Sequence, residues 1–245
     1  MKLKQHIPNF VTSLNLLSGC VGIAAIFSGH TTAAVILMGA AAIFDFADGL
    51  VARALNVKSA IGKELDSLAD VVSFGLLPGV IMYQLMLNCA NLPGKEAGWM
   101  NPYPYFAFLI TVFSALRLAK FNIDTRQSDS FIGLPTPANA LFIASLPMIL
   151  IQSGQSGEKL MLLTSLIGNY FFLLGLSVLM SYLLIAEIPL FALKFKNFRW
   201  EDNKSQFTFV GFSILLLIIL HFIAIPAIIL LFILMSVIRR KAANK

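Results

Sequence analysis

The residues of this chain most able to do chemistry are four aspartates in one short, otherwise apolar stretch. The sequence has seven aspartates, and four of them lie within FDFADGLVARALNVKSAIGKELDSLADVV, at Asp45, Asp48, Asp66 and Asp70. An Asp near the centre of a membrane helix costs about 2.5–3.5 kcal/mol, so four exposed to lipid would cost about 10–14 kcal/mol. We therefore expect these side chains to face a polar cavity, cations or both.

Helical spacing places the four acids on two faces that can oppose each other. On one helix, Asp45 and Asp48 share an arc of about 140° with three further residues. These are Gly49, Ala52 and Arg53. On the next helix, Gly62, Asp66 and Asp70 follow each other at steps of four, within about 80°. The small residues leave room for a ligand or for a closely packed helix.

Carboxylates that converge without an equal number of cations repel one another, and divalent ions relieve that repulsion. An all-oxygen ligand set favours Mg²⁺, Mn²⁺ or Ca²⁺ over Zn²⁺, because no His or Cys joins the cluster. A pair of such ions can clamp a diphosphate and stabilise its leaving oxygen. The residues alone thus predict metal-assisted phosphoryl-group chemistry at a membrane boundary.

The helices that must position this cluster are membrane spans. The chain has 245 residues, of which 58% are hydrophobic and 12% charged, with a mean hydropathy of +0.83. This composition excludes a water-soluble globule and a disordered chain. Since a span needs about 20 apolar residues, we predict an all-α polytopic membrane protein of about eight transmembrane helices. Their approximate bounds are 8–28, 31–54, 64–88, 103–122, 136–152, 167–193, 207–222 and 224–240.

The predicted spans divide into a six-helix core, residues 1–194, and a cytoplasmic connection with a C-terminal hairpin, residues 195–245. The stretch 159–194 is too long for one span, so we expect its first part to lie in the interface or outside the membrane. Gly19 and Gly22 are expected to permit close helix packing. Asn9, Thr12 and Ser13 could approach a nucleotide from the first helix, although polar residues at a helix start explain them equally well.

The distribution of positive charge predicts the orientation. The net charge of +6 does not indicate a nucleic-acid partner, because the cationic residues fall almost entirely in the connections on one side of the membrane. With the amino terminus inside, only Lys95 and Lys159 remain outside. The inside residues are Lys2, Lys4, Arg53, Lys58, Lys63, Arg117, Lys120, Arg126, Lys194, Lys196, Arg199, Lys204, Arg239, Arg240, Lys241 and Lys245. Both termini and the aspartates should therefore face the cytoplasm, and no signal peptide is evident.

The aspartate stretch also resembles a known signature. The pattern D-x2-D-G-x2-A-R-x8-G-x3-D-x3-D, from Asp45 to Asp70, is similar to that of the CDP-alcohol phosphotransferase family. The resemblance implies six core helices, often a homodimer, and transfer of a substituted phosphate to a hydroxyl with release of CMP. It further implies that the four aspartates hold two divalent ions, Mg²⁺ or Mn²⁺, that Asp70 is the catalytic base, and that four residues surround the CDP moiety. These four are Gly49, Ala52, Arg53 and Gly62.

Three further stretches resemble the membrane-embedded phosphatidylserine synthases of bacteria and archaea, a branch of this family. They are IPNFVTSLNLLSG, SFGLLPG and ALRLAKFNIDTRQSDSFIGLPTPANA. The resemblance implies CDP-diacylglycerol and L-serine as substrates and the cytoplasmic membrane as the location. For the serine carboxylate, Arg117 is the first choice, because a guanidinium pairs well with a carboxylate. Asn122, Arg126 and Thr136 are further candidates for the serine pocket.

Two alternatives remain open from the sequence. The acceptor could be glycerol phosphate, inositol phosphate or an amino alcohol, because Arg117, Lys120 and Arg126 could also surround a phosphate. Outside the family, intramembrane acids could serve an ion-coupled transporter. A transporter would place its acids near the bilayer midplane between related halves, whereas these acids cluster near one surface.

Overall fold

The chain is helical throughout a computed structural model that describes residues 2–57, 59–124, 131–156, 160–190 and 204–243. The α-helices are α1 Lys2–Phe27, α2 Thr31–Ala54, α3 Ala60–Asp70, α4 Leu77–Leu87, α5 Leu109–Ile123, α6 Thr136–Ser156, α7 Met161–Ile167, α8 Tyr170–Ile185, α9 Lys204–Leu220 and α10 Ala224–Ala243. A π-helical segment, Val71–Leu76, joins α3 to α4, and 3-10 turns lie at Lys95–Met100, Tyr103–Phe108 and His221–Ile223. Two-residue strands, β1 Phe131–Ile132 and β2 Pro189–Leu190, pair antiparallel. The predicted all-α class is confirmed.

Membrane-spanning character follows from helix length and hydropathy. In the described ranges, six helical stretches are long and apolar enough to cross a membrane, and a seventh if the bent pair α7 and α8 forms one span. One of the six, Phe207–Ser236, contains both α9 and α10. The rings of Phe209 and Phe232 nevertheless contact each other, with centroids 5.7 Å apart and planes tilted by 51°. A straight helix would separate them by about 34 Å, so this stretch folds back as the expected terminal hairpin.

Close packing of α1 brings the first three spans together. An ideal Cβ on Gly19 would lie 2.9 Å from the Ser73 Cα, and one on Gly22 would lie 2.8 Å from a Leu77 methyl carbon. Any side chain at Gly19 would therefore collide with the backbone of the π-helical segment. The prediction that these glycines permit close helix packing is confirmed.

The third span begins earlier than predicted and is not a regular α-helix. Ser59 caps α3, its Oγ accepting a hydrogen bond of 3.2 Å from the Gly62 N–H, which starts the helix at residue 60 instead of 64. Asp70 is the last residue of α3, and the π-helical segment follows it directly. Pro78 comes shortly after this segment and lacks the N–H that would continue the α-helical ladder. Such π-helical insertions are frequent at functional sites.

The sixth predicted span, 167–193, has different bounds in the structure. The stretch 159–194 is too long for one span, as expected, and its first part forms a separate helix, α7, which meets α8 at an angle of 75°. The prediction was wrong at the other end, because α8 stops at Ile185 and Ala186 is extended. A proline at 189 disfavours helix in the preceding residue, and the chain there pairs with β1. Glu187 thus lies beyond the helix rather than in it.

The terminal hairpin packs mainly against α6 of the core. Both α10 and the turn His221–Ile223 contact α6, and α10 also contacts β2. The positive φ of 51° at His221 marks the reversal of chain direction between the arms. Most of the predicted connection, including Lys194, Lys196 and Arg199, lies outside the described residues. The division of the chain after residue 194 therefore stays a prediction.

Candidate active site

The four aspartates come together where α2 and α3 lie side by side. Asp45, Asp48 and Asp66 each offer a carboxylate oxygen, and these oxygens all lie within 4.8 Å of one another. The Asp45 carboxyl also lies beside those of Asp66 and Asp70. Asp48 and Asp70 are buried, while Asp45 and Asp66 are half-buried. The expectation that two carboxylate faces oppose each other agrees with this arrangement.

Two polar side chains of α1 orient this cluster. The Thr12 hydroxyl donates a hydrogen bond of 2.5 Å to Asp48 Oδ2, and the Asn15 amide donates one of 3.1 Å to Asp70 Oδ1. The Ser73 hydroxyl, in the π-helical segment, donates to the backbone carbonyl of Asn15 at 3.0 Å. Each bond crosses from one helix to another, so α1 fixes the rotamers of acids that α2 and α3 supply.

The donor set fits hard divalent ions. All four groups are carboxylates, the ligands that Mg²⁺, Mn²⁺ and Ca²⁺ prefer. Two oxygens bound to one Mg²⁺ at about 2.1 Å lie at most about 4.2 Å apart, so oxygens within 4.8 Å need only small adjustments to share an ion. Without cations, like charges at this spacing in a partly dehydrated site would repel strongly. Asp45, Asp48, Asp66 and Asp70 are therefore the residues that would hold such ions.

A cavity of about 550 Å³ opens next to Asp48 and Asp66. Its remaining described lining consists of Pro8, Asn9, Thr12, Gly49, Ala52, Val57, Ser59, Ala60, Gly62 and Lys63. Three of the four predicted nucleotide residues are in this wall. Small residues dominate it, which leaves the volume free beside the carboxylates.

The glycines of this wall differ in what surrounds them. An ideal Cβ on Gly49 would meet nothing nearer than the Arg53 guanidinium, 3.8 Å away. An ideal Cβ on Gly62 would lie 2.8 Å from the Asn9 Oδ1. Glycine at position 62 is thus needed for the close approach of α1 to α3. At position 49, no protein atom would clash with a Cβ. Arg53 is exposed and folds back beside Gly49 at the edge of the cavity.

Two of the four residues predicted for the serine pocket, Arg117 and Thr136, contact each other in the structure. Arg117 is 8% exposed, and its Nη1 donates a hydrogen bond of 3.3 Å to the hydroxyl of Thr136, which is fully buried. The guanidinium carbon also lies 5.5 Å from the centre of the Phe121 ring. Burial at this level is unusual for an arginine that only snorkels to the membrane surface. The structure thus brings Arg117 and Thr136 together.

The other two serine candidates have different surroundings. The Asn122 side-chain amide donates to Ser67 Oγ at 2.8 Å, and the backbone carbonyl of Asn122 accepts from Lys63 Nζ at 3.1 Å. Asn122 therefore ties the end of α5 to α3. Arg126 lies outside the described residues.

Sequence reasoning missed Asn15, although a signal for it was present. Asn9, Thr12 and Asn15 follow each other at steps of three within an apolar span, so they share one helix face. Polar residues repeated on one face of a membrane helix point towards protein rather than lipid. What the sequence could not supply is their partner, since Asn15 and Asp70 are 55 residues apart.

Comparison with known proteins agrees with this geometry. Residues 5–180 match the family model described as CDP-alcohol phosphatidyltransferase. The chain is 36% identical over 157 residues to the CDP-diacylglycerol–serine O-phosphatidyltransferase of Mycobacterium leprae, covering 61% of this chain and 49% of that protein. It is 39% identical over 138 residues to the enzyme of the same name from Helicobacter pylori strain J99, covering 56% and 54%.

A further relative is archaeal. The archaetidylserine synthase of Methanothermobacter thermautotrophicus is 32% identical over 164 residues, which cover 66% of each chain. The matched region thus spans about half to two-thirds of the length of these curated relatives. The residues that match the family model, 5–180, include all four aspartates.

Proposed function

The chain belongs to the CDP-alcohol phosphatidyltransferase family, and on that premise we propose that it transfers the phosphatidyl group of CDP-diacylglycerol to the hydroxyl of L-serine, giving phosphatidylserine and CMP. The observation that carries the proposal is the convergence of four carboxylates beside a cavity of about 550 Å³ walled by small residues. Relatives named for serine transfer support the choice of acceptor.

The nucleotide half of the donor occupies the cavity. Gly49, Ala52 and Gly62 leave the wall open, and Arg53 at its edge supplies a positive charge for the phosphates. Asp45, Asp48, Asp66 and Asp70 hold two divalent ions, Mg²⁺ or Mn²⁺. When bound, such ions neutralise the pyrophosphate and stabilise the oxygen that leaves with CMP.

Asp70 acts as the base. Its carboxylate accepts the proton of the serine hydroxyl, and the serine oxygen then forms a bond to the phosphorus that carries the diacylglycerol. The bond from that phosphorus to the bridging pyrophosphate oxygen breaks, CMP leaves, and Asp70 returns its proton to solvent. The Asn15 amide donates to Asp70 Oδ1 and holds the carboxylate of the base in place.

The serine carboxylate pairs with Arg117, and Thr136 fixes the Arg117 guanidinium. Asn122 and Arg126 are further pocket candidates, as their sequence positions suggested. Arg117 lies near enough to Asp70 for their opposite charges to attract each other. An acceptor held by Arg117 would therefore lie close to the base.

The reaction takes place at the cytoplasmic face of a bacterial or archaeal cytoplasmic membrane. The positive charges that set the orientation include Lys63, which lines the cavity, and Arg53, whose guanidinium lies beside Gly49. Membrane lipid surrounds the spans, both termini are cytoplasmic, and the protein functions as a homodimer, as its family resemblance suggests.

The test is CMP release by the purified full chain with CDP-diacylglycerol and Mn²⁺ or Mg²⁺. L-Serine, glycerol 3-phosphate, inositol phosphate and ethanolamine are compared as acceptors. We expect release to depend on L-serine. Faster release with another acceptor would contradict the assignment of serine.

A variant pair separates catalysis from folding. Asp70→Asn keeps the shape of the side chain but removes the base and one metal ligand, so turnover should be abolished while the melting temperature changes little. Glu64→Gln is the matched control, because Glu64 is an exposed acid on the same helix. Equal activity of the two variants would refute the role of Asp70.

A further inference from the structure

Lys63 contacts two parts of the molecule at once. It lines the cavity beside Asp48 and Asp66, and it is the one cation among the described residues of that wall. Its Nζ also donates a hydrogen bond of 3.1 Å to the backbone carbonyl of Asn122, near the end of α5. A single side chain thus reaches from the cavity to the helix that carries Arg117.

A second hydrogen bond holds Asn122 in this position. The Asn122 side-chain amide donates to Ser67 Oγ at 2.8 Å, and the Ser67 hydroxyl donates to the backbone carbonyl of Lys63 at 3.3 Å. A hydroxyl has one proton to donate, so the Ser67 oxygen can only accept from Asn122, which fixes the orientation of the amide. Two residues of α3 therefore hold one residue of α5 through both its backbone and its side chain.

The side of α3 that makes this link also carries two acids of the candidate metal site. Counted from Lys63, the four residues stand at i, i+3, i+4 and i+7, which lie along one side of a helix. They are Lys63, Asp66, Ser67 and Asp70. Among the described elements, α3 and α5 share little packing, since α5 contacts mainly α8 and the π-helical segment. Hydrogen bonds at Asn122 therefore hold the end of α5 against the side of α3 that bears the acids.

The end of α5 in turn positions Arg117. The Arg117 guanidinium carbon lies 5.5 Å from the centre of the Phe121 ring, and Phe121 is the residue directly before Asn122. All three residues belong to one helix. A shift of this helix end relative to α3 would therefore change the distance between the guanidinium and Asp70.

The ammonium group of Lys63 can hold two partners when a phosphate enters the cavity. It has three N–H donors, of which the Asn122 carbonyl takes one. A carbonyl also leaves the positive charge available to an anion. Hydrogen bonds from an ammonium to a phosphate are charge-assisted and about twice as strong as neutral ones. A nucleotide phosphate would therefore fix the exposed Lys63 side chain while the bond to Asn122 remains.

We propose that Lys63 binds a phosphate group of the nucleotide and, through Asn122, couples the nucleotide cavity to the acceptor side of the active site. A bound nucleotide holds the end of α5 against α3, which places Arg117 for the amino-acid acceptor. Donor and acceptor thus bind with positive cooperativity. The inference rests on the proposed function, because it takes the cavity as the nucleotide site and Arg117 as the partner of the acceptor carboxylate.

Binding of L-serine with and without CMP measures this coupling. Calorimetry on the full chain with Mn²⁺ should give a serine affinity that is about fivefold or more higher when CMP is present. Linkage requires serine to raise the affinity for CMP by the same factor. A serine affinity that does not respond to CMP in the wild type would refute the inference.

Variants of Lys63 test the role of its charge. Lys63→Met keeps the length of the side chain but removes the ammonium, so it should weaken CMP binding about tenfold and abolish the coupling. Lys63→Arg keeps a cation with several donors and should retain most of both effects. Lys95→Met is the control for loss of an exposed lysine, because Lys95 lies in a different connection and should change neither. Equal CMP affinity in Lys63→Met and Lys95→Met would refute the phosphate contact.

Two serines separate the link to α5 from the charge in the cavity. Ser67→Ala removes the acceptor of the Asn122 amide but leaves Lys63 in the cavity wall, so CMP should bind alone as in the wild type while its effect on serine is lost. Ser28→Ala is the matched control, because the Ser28 hydroxyl also donates to the carbonyl four residues earlier, at 2.9 Å. It should keep the full coupling. The same coupling in both variants would refute the role of the link.

The same measurements separate this inference from the proposed reaction. A chain in which CMP raises the serine affinity through Lys63, but which releases no CMP from CDP-diacylglycerol and serine, would support the coupling and refute the reaction. Serine-dependent CMP release by a chain whose serine affinity does not respond to CMP would support the reaction and refute the coupling. A lower melting temperature of Lys63→Met with unchanged CMP affinity would show a purely structural lysine and would also refute the coupling.

Discussion

One methyl group added at Gly49 tests whether the cavity beside the aspartates holds the nucleotide. Gly49 lies in the interior of α2, where Gly to Ala favours the helix by about 0.5–1 kcal/mol. An ideal Cβ there meets no protein atom nearer than 3.8 Å. The protein alone therefore accommodates the methyl group, and Gly49→Ala should be at least as stable as the wild type.

The bound nucleotide would not accommodate it. Gly49 lines the cavity next to Asp48, so the added carbon takes up space that the CDP moiety needs. Forcing an extra methyl group into a packed interface costs about 1–3 kcal/mol. Since 1.4 kcal/mol is a factor of ten, affinity for CDP-diacylglycerol should fall about 5- to 150-fold.

The assay compares Gly49→Ala with Gly39→Ala. Gly39 lies on the same helix, has no atom within 4 Å of its ideal Cβ, and is not among the described residues of the cavity wall. Both variants should gain similar thermal stability in detergent, but only Gly49→Ala should lose affinity for CMP in calorimetry and raise the KM for CDP-diacylglycerol. The same nucleotide affinity in both variants would refute the placement of the nucleotide.

Three further predictions follow from other contacts. Thr12→Val removes the hydroxyl that donates to Asp48, and loss of such a supporting bond should weaken metal affinity about 10- to 100-fold. The measurement is the Mn²⁺ concentration that CMP release requires, which should rise. An unchanged requirement would mean that Thr12 does not orient a metal ligand. Chelation with EDTA should abolish CMP release. Mg²⁺ or Mn²⁺ should restore it better than Zn²⁺, because the donors are all carboxylates. Activity that persists in EDTA would contradict the metal assignment. Phe232→Ala should lower the melting temperature, because it removes the ring contact with Phe209, which is worth about 1 kcal/mol. The KM for serine should not change. A changed KM would show that the hairpin influences the active site.

Much of the fold could be predicted because bilayer thickness and helical periodicity act locally. The bounds of the first two spans are nearly those expected, and the long stretch before Glu187 breaks into two helices as its length required. The errors fall where a local signal competes with hydropathy. Ser59 starts α3 four residues early, and the chain around Pro189 pairs with β1, which ends α8 before the apolar sequence does.

By itself, the sequence determined that Asp45, Asp48, Asp66 and Asp70 lie on two helix faces beside small residues, because residues three and four apart on one helix are always neighbours. Only the tertiary structure decided which side chains from different helices meet, such as Asn15 with Asp70 and Arg117 with Thr136. It also decided that Asn139 is buried. The reason is that an apolar helix face looks the same in sequence whether it contacts lipid or protein. Pairings between helices therefore depend on their rotation and tilt, which local patterns do not encode.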